Sequence, residues 1–112
     1  MNKLSIVLLL AAALSSCKDK IDFEEGTPKC IQDRIKAINK SSICPDPKVY
    51  EYVFQGATVY AMYMGSCGAD ISTEVIDSDC KTIGSLGGFS GVTKINGEEF
   101  SNAKFVKTVW EK

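Results

Sequence analysis

Sixteen residues, VYEYVFQGATVYAMYM at 49–64, constrain the fold more than any other part of the chain. The stretch is β-branched and aromatic and is broken only by Gln55 and Gly56, which predicts an antiparallel hairpin. A two-residue turn at Gln55 and Gly56 would set Phe54 opposite Ala57, Tyr52 opposite Val59 and Tyr50 opposite Ala61. One face then opposes large aromatics with small residues and is expected to interdigitate beneath a helix. The other face (Val49, Glu51, Val53, Thr58, Tyr60, Met62, Met64) is mixed and carries the hairpin's one charge.

A helix is expected just before this hairpin. Thr27 supplies an N-cap hydroxyl and Pro28 suits the first helical position, where its missing N–H costs nothing. Ile31, Ile35 and Ile38 recur at helical spacing, with Gln32, Asp33, Lys36 and Lys40 on other faces, so a narrow apolar stripe can dock on a sheet. Ser41, Ser42, Pro45 and Pro47 end the pattern after about 11 to 13 residues. Farther on, the turn DSDC (77–80) separates two short strand patterns, Asn96 and Gly97 signal another hairpin turn, and FVKTVW (105–110) reads as a last strand. The glycine-rich GSLGGFSG (84–91) carries no clear strand or loop pattern. There is no repeat, low-complexity tract or second domain. The architecture expected for residues 28–112 is a single α+β domain: one N-terminal amphipathic helix packed on an antiparallel meander of about four to six strands, disulfide-stapled.

The first residues follow a different logic. Lys3 precedes an uninterrupted apolar run, LSIVLLLAAAL at 4–14, which is about half the roughly 20 residues needed to span a bilayer. Residues 1–16 therefore read as a removable signal peptide. An ordinary cleavage site at residues 13–16 is one option. The other is lipidation, because LSSC at 14–17 resembles the bacterial lipobox: a thiolate is needed to form the thioether, and small residues are needed to fit the peptidase. Cys17 is the expected lipidation site, and residues 17–27 (KDKIDFEEG at 18–26) read as a charged tether in which Ile21 and Phe23 are isolated. Acidic residues after the lipidated Cys also resemble signals that sort lipoproteins to the outer membrane. The expected location is the bacterial cell envelope, as an outer membrane lipoprotein on its periplasmic or surface side.

Cysteine arithmetic agrees with this reading. Five cysteines are an odd set for an oxidising compartment, and assigning Cys17 to lipid leaves Cys30, Cys44, Cys67 and Cys80 to pair. Three connectivities exist, and Cys30 with Cys44 plus Cys67 with Cys80 is the expected one because each closes a local loop. That first pair carries a geometric condition. Ten helical residues from Cys30 rise about 15 Å and four extended residues return only about 13 Å, so the helix must stop by about Ile38.

Composition narrows the chemistry. Removing residues 1–16 takes Lys3 and no acid from 13 basic and 14 acidic groups, leaving a net charge near −2, which argues against nucleic acid as a partner. The chain has no histidine, so imidazole catalysis, Ser-His-Asp and Cys-His nucleophiles and histidine metal ligands are all excluded. The cysteines lack any CxxC spacing for zinc. Asp70, Asp77 and Asp79 lack the calcium-loop pattern, and aspartates at a turn are expected to bond their own backbone. The glycines match neither phosphate-binding pattern. No cofactor, metal or catalytic residue is expected. Tyr60, Phe89 and Trp110 form the candidate binding surface, with Tyr63 beside Tyr60 in sequence. Besides the membrane, reached through the N-terminal lipid, the expected partner of this monomer is a protein or glycan. A proteinaceous inhibitor of a secreted enzyme and a small hydrolase using two of Glu51, Glu74, Glu98 and Glu99 are the alternatives.

The ordered set of lipobox Cys, PKCIQDRI, VYEYVFQGATVYAMYM, a Cys, VIDSDC and LGGFSG resembles a family of small bacterial lipoproteins carrying a single domain of unknown function. The resemblance spans residues 28 to about 91. Its members carry a further Cys after the Gly-Gly segment, where this chain has KINGEEF. It implies the fold and the location and brings no activity with it. More loosely, a helix followed by an antiparallel meander is similar to PepSY and β-lactamase-inhibitor-like modules, which bind or inhibit; a shared fold does not by itself carry a function.

Overall fold

The computed structural model describes residues 21–68 and 70–112. The expected signal peptide, the expected lipidation site Cys17 and the first part of the expected tether lie outside the described residues. Among the described residues, the helix α1 (Lys29–Ser41) is followed by β1 (Lys48–Phe54), β2 (Ala57–Tyr63), β3 (Ser72–Asp77), β4 (Thr82–Gly87), the short β5 (Lys94–Ile95) and β6 (Glu98–Glu99), a 3-10 turn (Phe100–Asn102) and β7 (Lys104–Glu111). Five strands form one sheet in the order β4-β3-β2-β1-β7 and are antiparallel throughout, while β5 and β6 make a separate two-stranded ribbon. The first four strands are a meander, and β7 crosses back to pair with β1. This is the expected α+β class.

The hairpin of residues 48–63 has the expected register, with Phe54 opposite Ala57, Tyr52 opposite Val59 and Tyr50 opposite Ala61. Both turn residues, Gln55 and Gly56, have positive φ, as do Asn96 and Gly97 in the ribbon turn. That geometry matches the right-handed twist of the flanking strands. At the DSDC turn, the Asp77 carboxylate accepts from the backbone N–H groups of Asp79 and Lys81, both at 2.9 Å, so this aspartate bonds local backbone as expected. GSLGGFSG resolves into the second half of β4 and a turn closed by paired backbone hydrogen bonds between Gly87 and Val92.

The helix occupies the other side of the sheet from the one expected. Ile31, Ile35 and Ile38 pack with Val49, Tyr60, Met62, Ile76, Val109 and Trp110, which is the mixed face of the hairpin. Glu51 does not obstruct this, because it stands at the register position opposite Lys107 on β7 and stays half-buried. The aromatic and small-residue face receives the ribbon instead. Ile95 reaches into the gap that Gly84 leaves, and Phe54, Val59, Ala61 and Val75 close around it with Phe100 and Ala103. Ile95, delivered by the thin ribbon, fills the space beside the small residues Gly84 and Ala61, while the isoleucine ridge of the helix packs on Val49, Met62 and Ile76.

The helix entry differs too. Pro28 sits at the N-cap itself, and the Thr27 hydroxyl donates to the Glu24 carbonyl rather than capping a helical N–H. That bond closes a turn at residues 24–27 which folds the preceding segment back. Ile21 and Phe23 are therefore not isolated: they pack against the helix-side core, and the Glu24 N–H donates to the Val109 carbonyl at 3.2 Å on the outer edge of β7.

The disulfides correct the expected pairing. They join Cys30 to Cys80 and Cys44 to Cys67. The helix runs on to Ser41, past the expected end at about Ile38. From Cys30 it climbs about 16 Å, and the three residues from Ser41 to Cys44 could return about 11 Å only by doubling straight back along the helix; the chain instead bends at residues 43–45 and brings Cys44 to Cys67. Each cysteine meets a loop of the sheet instead: Cys80 after β3 holds the helix start, and Cys67 after β2 holds the chain just past the helix end.

Candidate functional site

Two of the three residues expected to form a binding surface are core residues. Tyr60 is 4% exposed and Trp110 7%, and both lie in the cluster beneath the helix. Phe89 is 91% exposed and stands alone on the turn after β4. Burial, helped by the neighbouring Glu51 carboxylate and opposed by a Ser78 hydrogen bond, raises the Tyr60 phenol above its ordinary value. Tyr52 is raised as well, by burial and by Tyr50. A raised folded-state pKa gives stability that is complete below the ordinary phenol range near 10 and is lost as pH climbs through the folded value. The urea midpoint is accordingly expected to fall in that alkaline range. Tyr60→Phe should flatten part of the fall, and an unchanged alkaline limb in that variant would rule out a protonated, buried Tyr60.

The opposite face carries a second set of aromatics, of which Phe54 is buried and the others are partly or largely accessible. Tyr50, Tyr52 and Phe54 follow one another on β1, Tyr63 ends β2, and Phe105 stands beside Tyr52 on β7. The rings form one connected set. Centroids are 6.4 Å apart for Tyr50 and Tyr63, 6.1 Å for Tyr50 and Phe105, 5.7 Å for Tyr52 and Phe105 and 5.0 Å for Tyr52 and Phe100, mostly edge to face. Such contacts hold the rings in place, each worth about 0.5–1.5 kcal/mol beyond burial. The ribbon and the 3-10 turn cover the Phe54 end. Toward Tyr63 the cover stops, leaving Tyr50, Tyr52 and Tyr63 half-buried and Phe105 56% exposed.

Sequence reasoning missed Tyr50 and Tyr52 as accessible groups because it placed the helix over them, and it gave Phe105 a strand but no face. Their signal was the hairpin alternation itself, read with the faces exchanged.

The carboxylates are distributed among separate structural partners. Glu74 is paired with Arg34 and accepts from the Thr82 hydroxyl. Glu98 accepts from Gln55 and Asn102, and Glu99 from Thr93. Among the described residues, no group of three or more Cys, Asp or Glu is placed to hold a metal ion.

A family model described as a domain of unknown function (DUF6970) matches residues 35–112. The chain belongs to this family. The matched region holds the last two turns of α1, the whole sheet, the ribbon and every residue of the aromatic face. It also contains both ends of the Cys44–Cys67 bridge, whereas Cys30 and the segment packed on β7 precede it. No curated protein and no solved structure matches the chain.

Proposed function

We propose that this member of the family is a lipid-anchored, non-catalytic binding module of the bacterial cell envelope, and that it recognises a protein through the aromatic face opposite the helix. The observation that carries the reading is the partly open end of that face, where the rings of Tyr50, Tyr52, Tyr63 and Phe105 pack on one another while Tyr50, Tyr52 and Tyr63 stay half-buried and Phe105 exposed. Rigid aromatic side chains with a polar tip are the residues that dominate protein interfaces, because they bury much area for little lost rotamer freedom. The anchor is supported by the apolar run that ends in LSSC, and the compartment by two disulfides, which persist outside the reducing cytosol.

Phe105→Glu places a charge at the most exposed ring, and Tyr52→Ala removes its neighbour. Either change is expected to weaken partner binding by about 30-fold or more, the effect of losing an interface anchor of about 2 kcal/mol. Cross-linking of the purified lipoprotein to envelope extracts, followed by affinity measurement on the captured protein, provides the check. Unchanged affinity in both variants would sink the reading. Capture that envelope polysaccharide abolishes would replace the protein partner with a glycan.

A further inference from the structure

The segment between the anchor and the helix has the sequence of a free spacer and the packing of a fixed element. Ile21 and Phe23 lie against the core that contains Trp110, and the Glu24 N–H bonds to the Val109 carbonyl on the β7 edge. Phe23 also lines a groove with residues 107–111. The Glu24 carbonyl accepts from both the N–H and the hydroxyl of Thr27, which locks the turn into the helix. An open strand edge otherwise invites pairing with other chains, and here the protein's own segment covers part of it.

This changes the length of the leash. Cys17 and Ile21 are four residues apart, so at most about 14 Å separates them, whereas a spacer free up to Pro28 would allow roughly 38 Å. Resting on the lipoprotein reading above, we infer that residues 21–24 are a docked strap that holds the domain close to the lipid surface in one orientation. The bilayer is thus a second surface the domain works against, and the end at Ile21 is the one turned to the headgroups. The aromatic face, on the other side of the sheet from the core that grips the strap, is kept at a defined height.

Trp110 is the chain's only tryptophan and sits against the strap, so it reports the distance. The full lipoprotein, purified from membranes, would be placed in phosphatidylcholine vesicles containing a dansyl-headgroup lipid, and energy transfer from Trp110 measured. Strong transfer is expected for the native chain. A several-fold drop is expected in Ile21→Asp with Phe23→Asp, which frees the strap, and in a variant carrying ten Gly and Ser residues inserted between Lys20 and Ile21, which lengthens the leash while leaving the strap docked. Hydrogen exchange at the Glu24 amide should be slow in the native and insertion proteins and fast in the double variant. Equal transfer in all three vesicle-bound proteins, or a fast Glu24 amide in the native one, would overturn the strap. Mass spectrometry of the same sample keeps the two readings apart: a native chain lacking acyl groups on Cys17 would refute the anchor, and the slow or fast Glu24 amide would still decide whether the strap is docked.

Discussion

Replacing Cys30 and Cys80 together by alanine is expected to cost about 4 kcal/mol of folding stability. The bridge closes a loop of 50 residues, and in the chain-entropy model that restriction of the unfolded ensemble sets the cost. Cys44 with Cys67, separated by 23, comes to about 3 kcal/mol on the same basis. A domain of this size has about 5–15 kcal/mol in all, so losing both bridges removes much of its margin and is expected to leave the reduced protein largely unfolded at 37 °C. Urea unfolding of the two double variants provides the test, with lower midpoints and with m-values that rise as the unlinked unfolded chain expands. The connectivity is checked separately. Cleavage at Lys36 separates Cys30 from Cys44, and cleavage at Glu74 separates Cys67 from Cys80. A non-reduced digest cut at both sites should therefore link the Cys30 peptide to the Cys80 peptide. A Cys30 to Cys44 linkage would refute the pairing.

The disulfide case shows what was legible in the sequence. The condition that bears on the pairing, helix length against return distance, follows from the spacing of Cys30 and Cys44 alone. Its outcome does not, because Lys40 and Ser41 are compatible with helix or loop; in the fold the last turn is closed locally, by the Ser41 hydroxyl donating to the Ala37 carbonyl at 2.7 Å and the Ser42 N–H to the Ile38 carbonyl at 2.9 Å. The hairpin register was readable for a similar reason: a two-residue turn and a period of two leave one arrangement. The choice of face was not. Both faces of residues 49–64 are apolar enough to bury, and what settles the matter is Ile95 and Phe100, arriving from more than thirty residues downstream to fill one of them. Tyr60 and Tyr63 look equivalent in the sequence. One is core and the other borders the open aromatic end, a difference that depends entirely on which side the helix takes. Ile21 and Phe23 show no periodicity in KDKIDFEEG, and the edge that receives them is built by the last strand of the chain.

A single added methyl group at Gly65 is expected to be among the most damaging small changes in the domain. Gly65 is buried just after β2 with φ of +118°, a conformation that L side chains rarely adopt. A Cβ built there falls 2.4 Å from the Cys44 Cβ and 2.7 Å from an Asp46 carboxylate oxygen. These neighbours cannot easily yield. Cys44 is bridged to Cys67 two residues beyond the glycine, and Asp46 accepts from the Ser66 hydroxyl at 2.7 Å and the Ser66 N–H at 3.1 Å, bonds that hold its carboxyl below the usual carboxylate range. Ser42 adds a hydrogen bond to the Met64 carbonyl at 3.1 Å. The glycine thus permits the close approach through which the helix end and the end of β2 are tied. Backbone strain of about 1–3 kcal/mol and overpacking of about 1–3 kcal/mol give Gly65→Ala an expected loss of roughly 2–6 kcal/mol. Gly56 separates the two causes, since its φ is also positive, at +75°, yet an added Cβ there meets nothing within 4 Å. Gly56→Ala should therefore show strain alone, and Gly65→Ala should exceed it by at least about 1 kcal/mol in urea unfolding. Equal losses would mean that β2 and Cys44 do not approach as closely as this fold requires.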